Sequence, residues 1–476
     1  MPPAPPNADE GGASATDKLS ICVNTQTPLV QFVSQLPKRR IRGRGVLRLS
    51  ELKEGVDYRY SPGGVTRMVL PLLRHLRQDG RVEGVHWVSL NPTGPKTIDV
   101  DGIILHSVTL DTPRLRSYGT IKETISGRAH GVETRGATAD DMFWSDDYAE
   151  FAHYNRLTAE LMKDLDKRHD FDLFYIHDFQ QLPVGHMIGT LKPKVYRWHI
   201  PFETSMIPTQ WTEPLSTYFN SYDLIVVSAD KYLSSLKQFG YQGRVERIYP
   251  YVDPRDYSRP SGKEVAALTE GMGIARDDRV ILLVARMDPL KGQDRAIRAL
   301  ARILKRLPKA KLVAVGNGSF SGSRQGLGLS KSERWRQELT RLCGSLGVTD
   351  RVLFTGHISQ RELDALYERC DLTLLPSVRE GFGLVVVEGW LHRRPAIVTN
   401  RAGIAELIKG GKNGYLVDPE DIEGMAEKIS LILDDTELGA RLGRAGLETS
   451  RLCTIAEGVR SESKMITELV GGEGKW

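Results

Sequence analysis

The sequence predicts an α/β protein made of two doubly wound parallel sheets, and three observations carry that prediction. Short apolar runs alternate with helical stretches over most of the 476 residues. Those runs are continuous rather than alternating, as expected of strands buried on both faces of a parallel sheet. A polar segment holding Pro250, Pro254 and Pro260 divides the chain near its middle, which reads as a junction between domains.

In the second half the apolar runs are Val280–Ala285, Leu312–Gly316, Val352–Gly356, Leu372–Pro376, Ala396–Asn400 and Tyr415–Asp418. Helical patterns such as Asp294–Arg306 and Gln360–Arg369 fall between them. This rhythm is that of βα units in an open sheet. The first half repeats it less regularly, with candidate strands Ser20–Val23, Val85–Leu90, Ile103–Val108, Leu173–His177, Val195–Ile200 and Leu224–Ser228. Residues 31–60, with the basic run 38–44, and the polar residues 109–147 break the rhythm and read as insertions or mobile loops. The expected division is a disordered tail over 1–18, a first domain over 19–252, a second over 253–450, and a terminal helix over 451–476 that returns to the first domain.

Composition narrows the function. Sixty-five basic against sixty acidic side chains leave a net charge of +5, too small at this length to point to nucleic acid. Cys22, Cys343, Cys370 and Cys453 stand far apart without a C-x-x-C pair, which argues against a zinc or redox motif and fits a reducing cytoplasm. The first eighteen residues have neither a basic start nor an apolar stretch, so they do not resemble a secretion signal. No apolar run is long enough for a membrane span.

Ligands of doubly wound sheets sit beyond the carboxyl ends of the strands, so the chemistry is sought there. Arg286 and Lys291-Gly292 follow the run Val280–Ala285. Two cations flanking a turn suit a diphosphate, with Arg as a planar fork and Lys as a point charge. On that spacing alone, a solvated loop is the simpler reading. Glu380-Gly381-Phe382-Gly383-Leu384 follows the run Leu372–Pro376 and opens an apolar helix that carries Glu388. Glycines let backbone amides approach a ligand, and a helix start favours an anion. Glu388 falls among Val385, Val386, Val387 and Trp390, so its carboxylate needs a partner. In the first half, Gly63-Gly64 precede a helix whose Val65, Val69, Leu72, Leu73 and Leu76 share one face. Such a Gly-Gly is usually just a turn. Asp178 and His199 stand at two further strand ends, Asp178 placed to bind a sugar hydroxyl, His199 more simply a buried, satisfied histidine.

Taken together, these segments resemble the retaining GT-B glycosyltransferases, in particular glycosyltransferase family 4. The resemblance rests on Arg286 with Lys291-Gly292, on the Glu380–Glu388 pair, and on Asn400–Leu407 followed by Asn413–Val417. It covers about residues 275–450. His177-Asp178, Tyr196–Phe202 and Val284–Gly292 look like trehalose-phosphate synthase and trehalose glycosyltransferring synthase. The resemblance implies a GT-B fold, two Rossmann-like domains facing a cleft, with the acceptor on the first and the nucleotide sugar on the second. It implies that Arg286 and Lys291 hold the donor diphosphate, Glu388 the ribose and Glu380 the transferred sugar. Amides of Phe382, Gly383 and Leu384 would support the sugar and distal phosphate, and Gly63 and Gly64 would form the opposing phosphate loop. His199 would sit beside the transferred sugar and Asp178 between donor and acceptor. Transfer would retain anomeric configuration without metal or cofactor, from a nucleoside diphosphate hexose, with glucose preferred, to a small hydroxyl acceptor, and a trehalose-type product is favoured. A homo-oligomer is left open, as is the acceptor.

Rival readings are a metal-dependent transferase using Asp99-Val100-Asp101 or Asp170-Phe171-Asp172, a phosphorylase of the same fold, and a non-catalytic sugar-nucleotide sensor with a basic arm. A nucleotide dehydrogenase is disfavoured, because no G-x-G-x-x-G follows an early strand.

Overall fold

A computed structural model describes residues 18–32, 46–61, 64–91, 94–131, 141–316 and 327–471, with the side chains of 327–331 excepted. The tail 1–17, the basic run 38–44, Gly63 and the stretch 317–326 lie outside the described residues.

The first half supplies β1 (Leu19–Thr25), β2 (Val30–Phe32), β3 (Leu47–Arg48), β4 (Tyr58–Tyr60), β5 (Val82–Leu90), β6 (Thr97–Val100), β7 (Ile103–Val108), β8 (Leu173–His177), β9 (Lys194–Arg197), β10 (Leu224–Val227) and β11 (Arg244–Arg247). Nine of them form one sheet in the order β11-β10-β9-β8-β1-β5-β7-β6-β3. Only β6 runs antiparallel to its neighbour β7 among the pairs from β11 to β6. β2 and β4 make a small antiparallel pair apart from it. The second half supplies β12 (Arg279–Val284), β13 (Ala310–Val315), β14 (Val352–Gly356), β15 (Leu372–Leu375), β16 (Ala396–Thr399) and β17 (Gly414–Val417). Their order is β14-β13-β12-β15-β16-β17, parallel throughout. The sheet therefore grows outward in both directions from β12 and β15, which is the Rossmann order. The first sheet does the same from β1 and β8. Each sheet has its topological switch point there, where neighbouring loops leave for opposite faces and open a crevice.

Apolar side chains cover both faces of the strands. In β1, Ile21 and Val23 join one core cluster and Cys22 another. The helix Gly64–Gln78 buries Met68, Val69, Leu72, Leu73 and Leu76, with Val65 half-buried. The helix Gln293–Ile303 buries Ala296, Ile297, Leu300 and Ile303 at the same spacing. All four cysteines are free and buried.

Two sequence expectations are corrected. Of residues 109–147, the described ones are mostly helical rather than a loop. Asp111 accepts a hydrogen bond from the Arg114 amide and caps a helix, Thr112–Ala129, with Pro113 in its first turn. That helix buries Tyr118, Ile121 and Ala129, and a second helix starts at Asp146, capped by Ser145. Nor are residues 31–60 wholly an insertion, because β3 completes the edge of the first sheet, pairing Leu47 with Ile98 and Arg48 with Asp99. Neither D-x-D pattern faces a strand-end loop suited to a metal. Asp99 accepts from the Gly102 amide in the tight turn between β6 and β7, and Asp101 pairs with Arg74. Asp170 pairs with Lys192, and Asp172 accepts from the Ser20 amide.

The chain passes between the sheets twice, after β11 and again near residue 453. The two passages are hydrogen-bonded to each other, Val252 N to Cys453 O at 3.0 Å and Ile455 N to Val252 O at 2.8 Å. The terminal helix Ile455–Gly471 then packs on Gly64–Gln78, and Val459, Met465 and Ile466 enter the first sheet's core. Its Glu462 is buried against Arg197 of β9 as an ion pair. Tyr175 and Tyr251 donate to the same carboxylate at 2.9 and 3.2 Å.

Candidate active site

The switch point of the second sheet brings two loops together. The loop after β12 carries Arg286, a cap at Asp288 and the turn Pro289–Lys291, and ends on Gly292 at φ +68°. A Cβ at Gly292 would stand 2.0 Å from the Pro376 carbonyl, so only glycine allows the loop to close on its neighbour. The Val378 amide donates to the Leu290 carbonyl at 2.9 Å and stitches the loops together. Lys291 Nζ then reaches Glu380 Oε2 at 2.6 Å, and Ser377 Oγ donates to the same oxygen at 3.2 Å. Burial pushes the Glu380 carboxyl up. The Lys291 charge and hydrogen bond, helped by His130 and Arg286, outweigh it and hold Glu380 below its usual range. Arg286 is exposed and has no ion pair among the described residues, while its carbonyl accepts from Gln293 Nε2 at 2.7 Å. One cation is thus locked in place and the other is available.

Gly383, at φ +111°, starts the helix Leu384–Leu391 and turns the chain into it. Residues 400–407 back this turn. The Gly403 amide donates to Glu380 O at 3.1 Å and the Ile404 amide to Phe382 O at 2.9 Å. One turn on, Glu388 is buried and finds the partners that its surroundings demand: Tyr257 donates to Oε1 at 3.1 Å and Tyr367 to Oε2 at 2.8 Å. Each oxygen keeps a lone pair for another donor.

The first sheet closes the site from the other side. The His199 carbonyl lies over Gly381, where a Cβ would stand 2.3 Å from it. Ser228 Oγ and Tyr232 Oη donate to Gly381 O at 3.0 and 3.2 Å, and Arg379 pairs with Glu203. The imidazole of His199 is half-buried and meets His177 Nδ1 at 3.2 Å, the rings stacked with centroids 5.5 Å apart. Burial drives both well below the usual histidine range. Asp178, next to His177, holds φ +72°, a region that L-residues rarely adopt. It accepts from the Gln26 amide at 3.3 Å, across the first sheet's own switch point. Burial raises its carboxyl to about 6, against the pull of that hydrogen bond and of Lys122.

The structure adds two groups that sequence reasoning missed. Lys122 and His130 both come from the helix Thr112–Ala129 and its end. Lys122 shares its field with Asp178 and Arg286. His130 is buried and lowered to about 4 by burial and by Lys291, against its bond to Ser126 O and the charge of Glu380. The Asp111-Thr112-Pro113 start was the only local signal for this helix. Gly64 begins its helix exposed, with open space about it, and Arg67 one turn later bears on Asp256 and Tyr257 of the second half.

Comparison with known proteins agrees with this architecture. Residues 267–449 match the family "Glycosyl transferases group 1". The second half is thus similar to group 1 glycosyl transferase domains. Ahead of it, residues 138–234 match "Trehalose synthase, N-terminal domain". A D-inositol 3-phosphate glycosyltransferase of Catenulispora acidiphila is 33% identical over 230 residues, covering 48% of this chain and 51% of that protein. An uncharacterized glycosyltransferase of Methanocaldococcus jannaschii is 32% identical over 225 residues, covering 47% and 53%. The chain thus spans about half the length of the curated relatives it matches. The trehalose 6-phosphate synthase of Burkholderia multivorans superposes with a TM-score of 0.72 at 16% identity, over 95% of this chain and 99% of that one. Anabaena HepE in complex with UDP and glucose superposes at 0.65 and 18% identity, over 94% and 99%. These structural likenesses establish that the two halves form a GT-B fold. No described helix is long and apolar enough to cross a membrane.

Proposed function

We propose that this protein is a retaining, metal-independent hexosyltransferase that moves glucose from a nucleoside diphosphate to a small sugar acceptor and forms a trehalose-type linkage. The observation that carries the reading is the meeting of the two switch points. Lys291 and Glu380 stand on one side, Asp178 and His199 on the other, and the Gly381–His199 contact joins them. The trehalose synthase match over residues 138–234 supports the choice of product class.

Arg286 and Lys291 would take the two phosphates, and Glu388, oriented by its two tyrosines, the ribose. Glu380 and the amides of Phe382, Gly383 and Leu384 would hold the sugar, with Gly64 opposite. As the bond to the diphosphate breaks, charge grows on the leaving oxygen, and preplaced cations stabilise it without a metal. That oxygen takes the proton of an acceptor hydroxyl arriving on the same face, which retains the anomeric configuration and needs no protein nucleophile. Asp178 would orient that hydroxyl, and His199 would line the sugar. The reaction belongs in the cytoplasm, with the nucleotide sugar.

A donor-by-acceptor screen tests this. UDP-, ADP- and GDP-glucose and GDP-mannose are paired with glucose, glucose 6-phosphate and glycerate, with and without a chelator, and NMR assigns the linkage. The expected result is an α-linked disaccharide from a nucleotide glucose, unaffected by the chelator. An inverted linkage, or glucose 1-phosphate made from trehalose and inorganic phosphate with no nucleotide involved, would replace the proposal.

Asp178 gives a separate prediction with two opposite signs. An ionised Asp178 is needed to accept from the hydroxyl, so activity should fall as pH drops through about 6. Stability moves the other way. The folded carboxyl is raised above its ordinary 3.8, so the unfolded chain ionises first and stability declines between those two values. Asp178→Asn should remove that penalty, at most on the order of 2–3 kcal/mol, above pH 6 and almost none of it near pH 4. Its activity should be low and lack the acidic limb. Equal melting-temperature gains at pH 4 and pH 8 would contradict the assignment.

A further inference from the structure

A cavity of about 1000 Å³ opens at the other end of the second sheet. Its walls come from the starts of strands: Arg279 begins β12, Asp371 precedes β15, and Arg393-Arg394 precede β16. The candidate active site lies at the strand ends, so the two do not overlap. The helix Thr436–Ser450 closes one side with Arg441 and Arg444, and Arg259 of the inter-sheet passage closes another.

The charges in this cavity do not cancel. Asp371 is held by Arg279 at 2.9 Å, Glu368 by Arg394 at 3.4 Å and His392 at 2.9 Å, and Glu448 by Arg451 at 3.0 Å. Arg393, Arg441 and Arg444 have no ion pair or side-chain hydrogen bond among the described residues, and all three are exposed. Among the described residues, Arg259 donates to one carbonyl, that of Leu391, at 2.9 Å. Arg441 and Arg444 are neighbours on one helix face, where like charges repel. Arg393 sits at φ +57°, a conformation costly for a side-chain-bearing residue. Its carbonyl lies so close to Gly443 that a Cβ there would stand 1.9 Å away, which fixes Arg393 beside that helix. Buried His392 also lines the cavity, and its Nε2 has no hydrogen-bond partner, standing 3.8 Å from Asp364 Oδ1. The left-handed turn at Arg393 ends the helix Leu384–Leu391, its amide donating to Trp390 O and the Arg394 amide to Gly389 O at 2.9 Å each, and so holds the Arg393 guanidinium at the cavity beside the two other unpaired arginines.

We propose that this cavity is a second anion site, which binds a small soluble ligand carrying two or more phosphate groups. Guanidinium forks match phosphate oxygens in pairs, and three of them unpaired call for a ligand of multiple negative charge. The volume is at the upper end for small-molecule sites, and the concave form suits a compact ligand.

Calorimetric titration with pyrophosphate at fixed ionic strength tests this in the full chain. Lys291→Ala is titrated beside wild type, so that binding in the active-site crevice is identified separately. Wild type and Lys291→Ala should both show a saturable phase in pyrophosphate that is stronger than the response to inorganic phosphate. In Arg441→Gln/Arg444→Gln that phase should weaken at least roughly tenfold, the loss of two charge-assisted contacts. Both arginines are exposed, so the melting temperature should hold; if it falls, Arg393→Gln takes the double variant's place. A pyrophosphate phase that survives the arginine changes, or that vanishes in Lys291→Ala, overturns the proposal. So does cosedimentation with phosphoinositide bisphosphate vesicles without affinity for free pyrophosphate.

Discussion

Lys291→Ala is expected to lower turnover by roughly two to three orders of magnitude, with a smaller change in donor KM. Lys291 is already locked by Glu380 and by the loop that Gly292 closes, so it needs little reorganisation when charge appears on the leaving phosphate. Its removal also strands a buried carboxylate. Glu380 would lose the charge that holds its pKa down, at a cost to stability of about 3 kcal/mol. The two effects separate in Lys291→Ala/Glu380→Gln, where stability should largely recover and turnover should not. Steady-state kinetics and thermal unfolding of both variants beside wild type check this. Wild-type turnover in a folded Lys291→Ala variant would dismiss the diphosphate role.

The largest effect on stability is expected at the terminal helix. Glu462→Ala leaves Arg197 charged, buried and without its carboxylate, which should cost about 3–5 kcal/mol. Tyr175 and Tyr251 lose their acceptor as well. Arg197→Met/Glu462→Leu should recover most of that loss, because two apolar chains of similar size leave no buried charge. On the exposed face of the same helix, Glu457→Ala breaks only a surface pair with Arg460 and should change little. Denaturant unfolding measures all three, and limited proteolysis near residues 452–454 should speed up only in Glu462→Ala. A loss there no larger than that of Glu457→Ala would mean the pair does not hold the helix.

The strands legible in the sequence were those that read as continuous apolar runs, most of them buried on both faces. Leu173–His177, buried throughout, matches its run in full, and so does the half-buried edge strand Val352–Gly356, whose residues are mostly apolar. Two of the illegible ones lie at edges. β11 is Arg-Val-Glu-Arg, and β3 is two residues long. The helix Thr112–Ala129 was hidden because most of its surface is polar and its buried residues are few. Its contribution to the site, Lys122 and His130, was hidden with it. For Glu388, the run of valines around it announced a buried carboxylate. It did not say which groups would satisfy it, since Tyr257 and Tyr367 lie 131 and 21 positions away. Arg197 and Glu462, 265 positions apart, were invisible as a pair for the same reason: separation along the chain carries no trace of a contact made by the fold.

The lacing of the two passages at Val252 and Cys453–Ile455 limits how a substrate can be enclosed. A single tether would let the halves separate, slide and twist. Two bonded passages resist shear and extension better than one tether would, so any relative movement of the halves is expected to be a swing about the line through Val252 and Thr454.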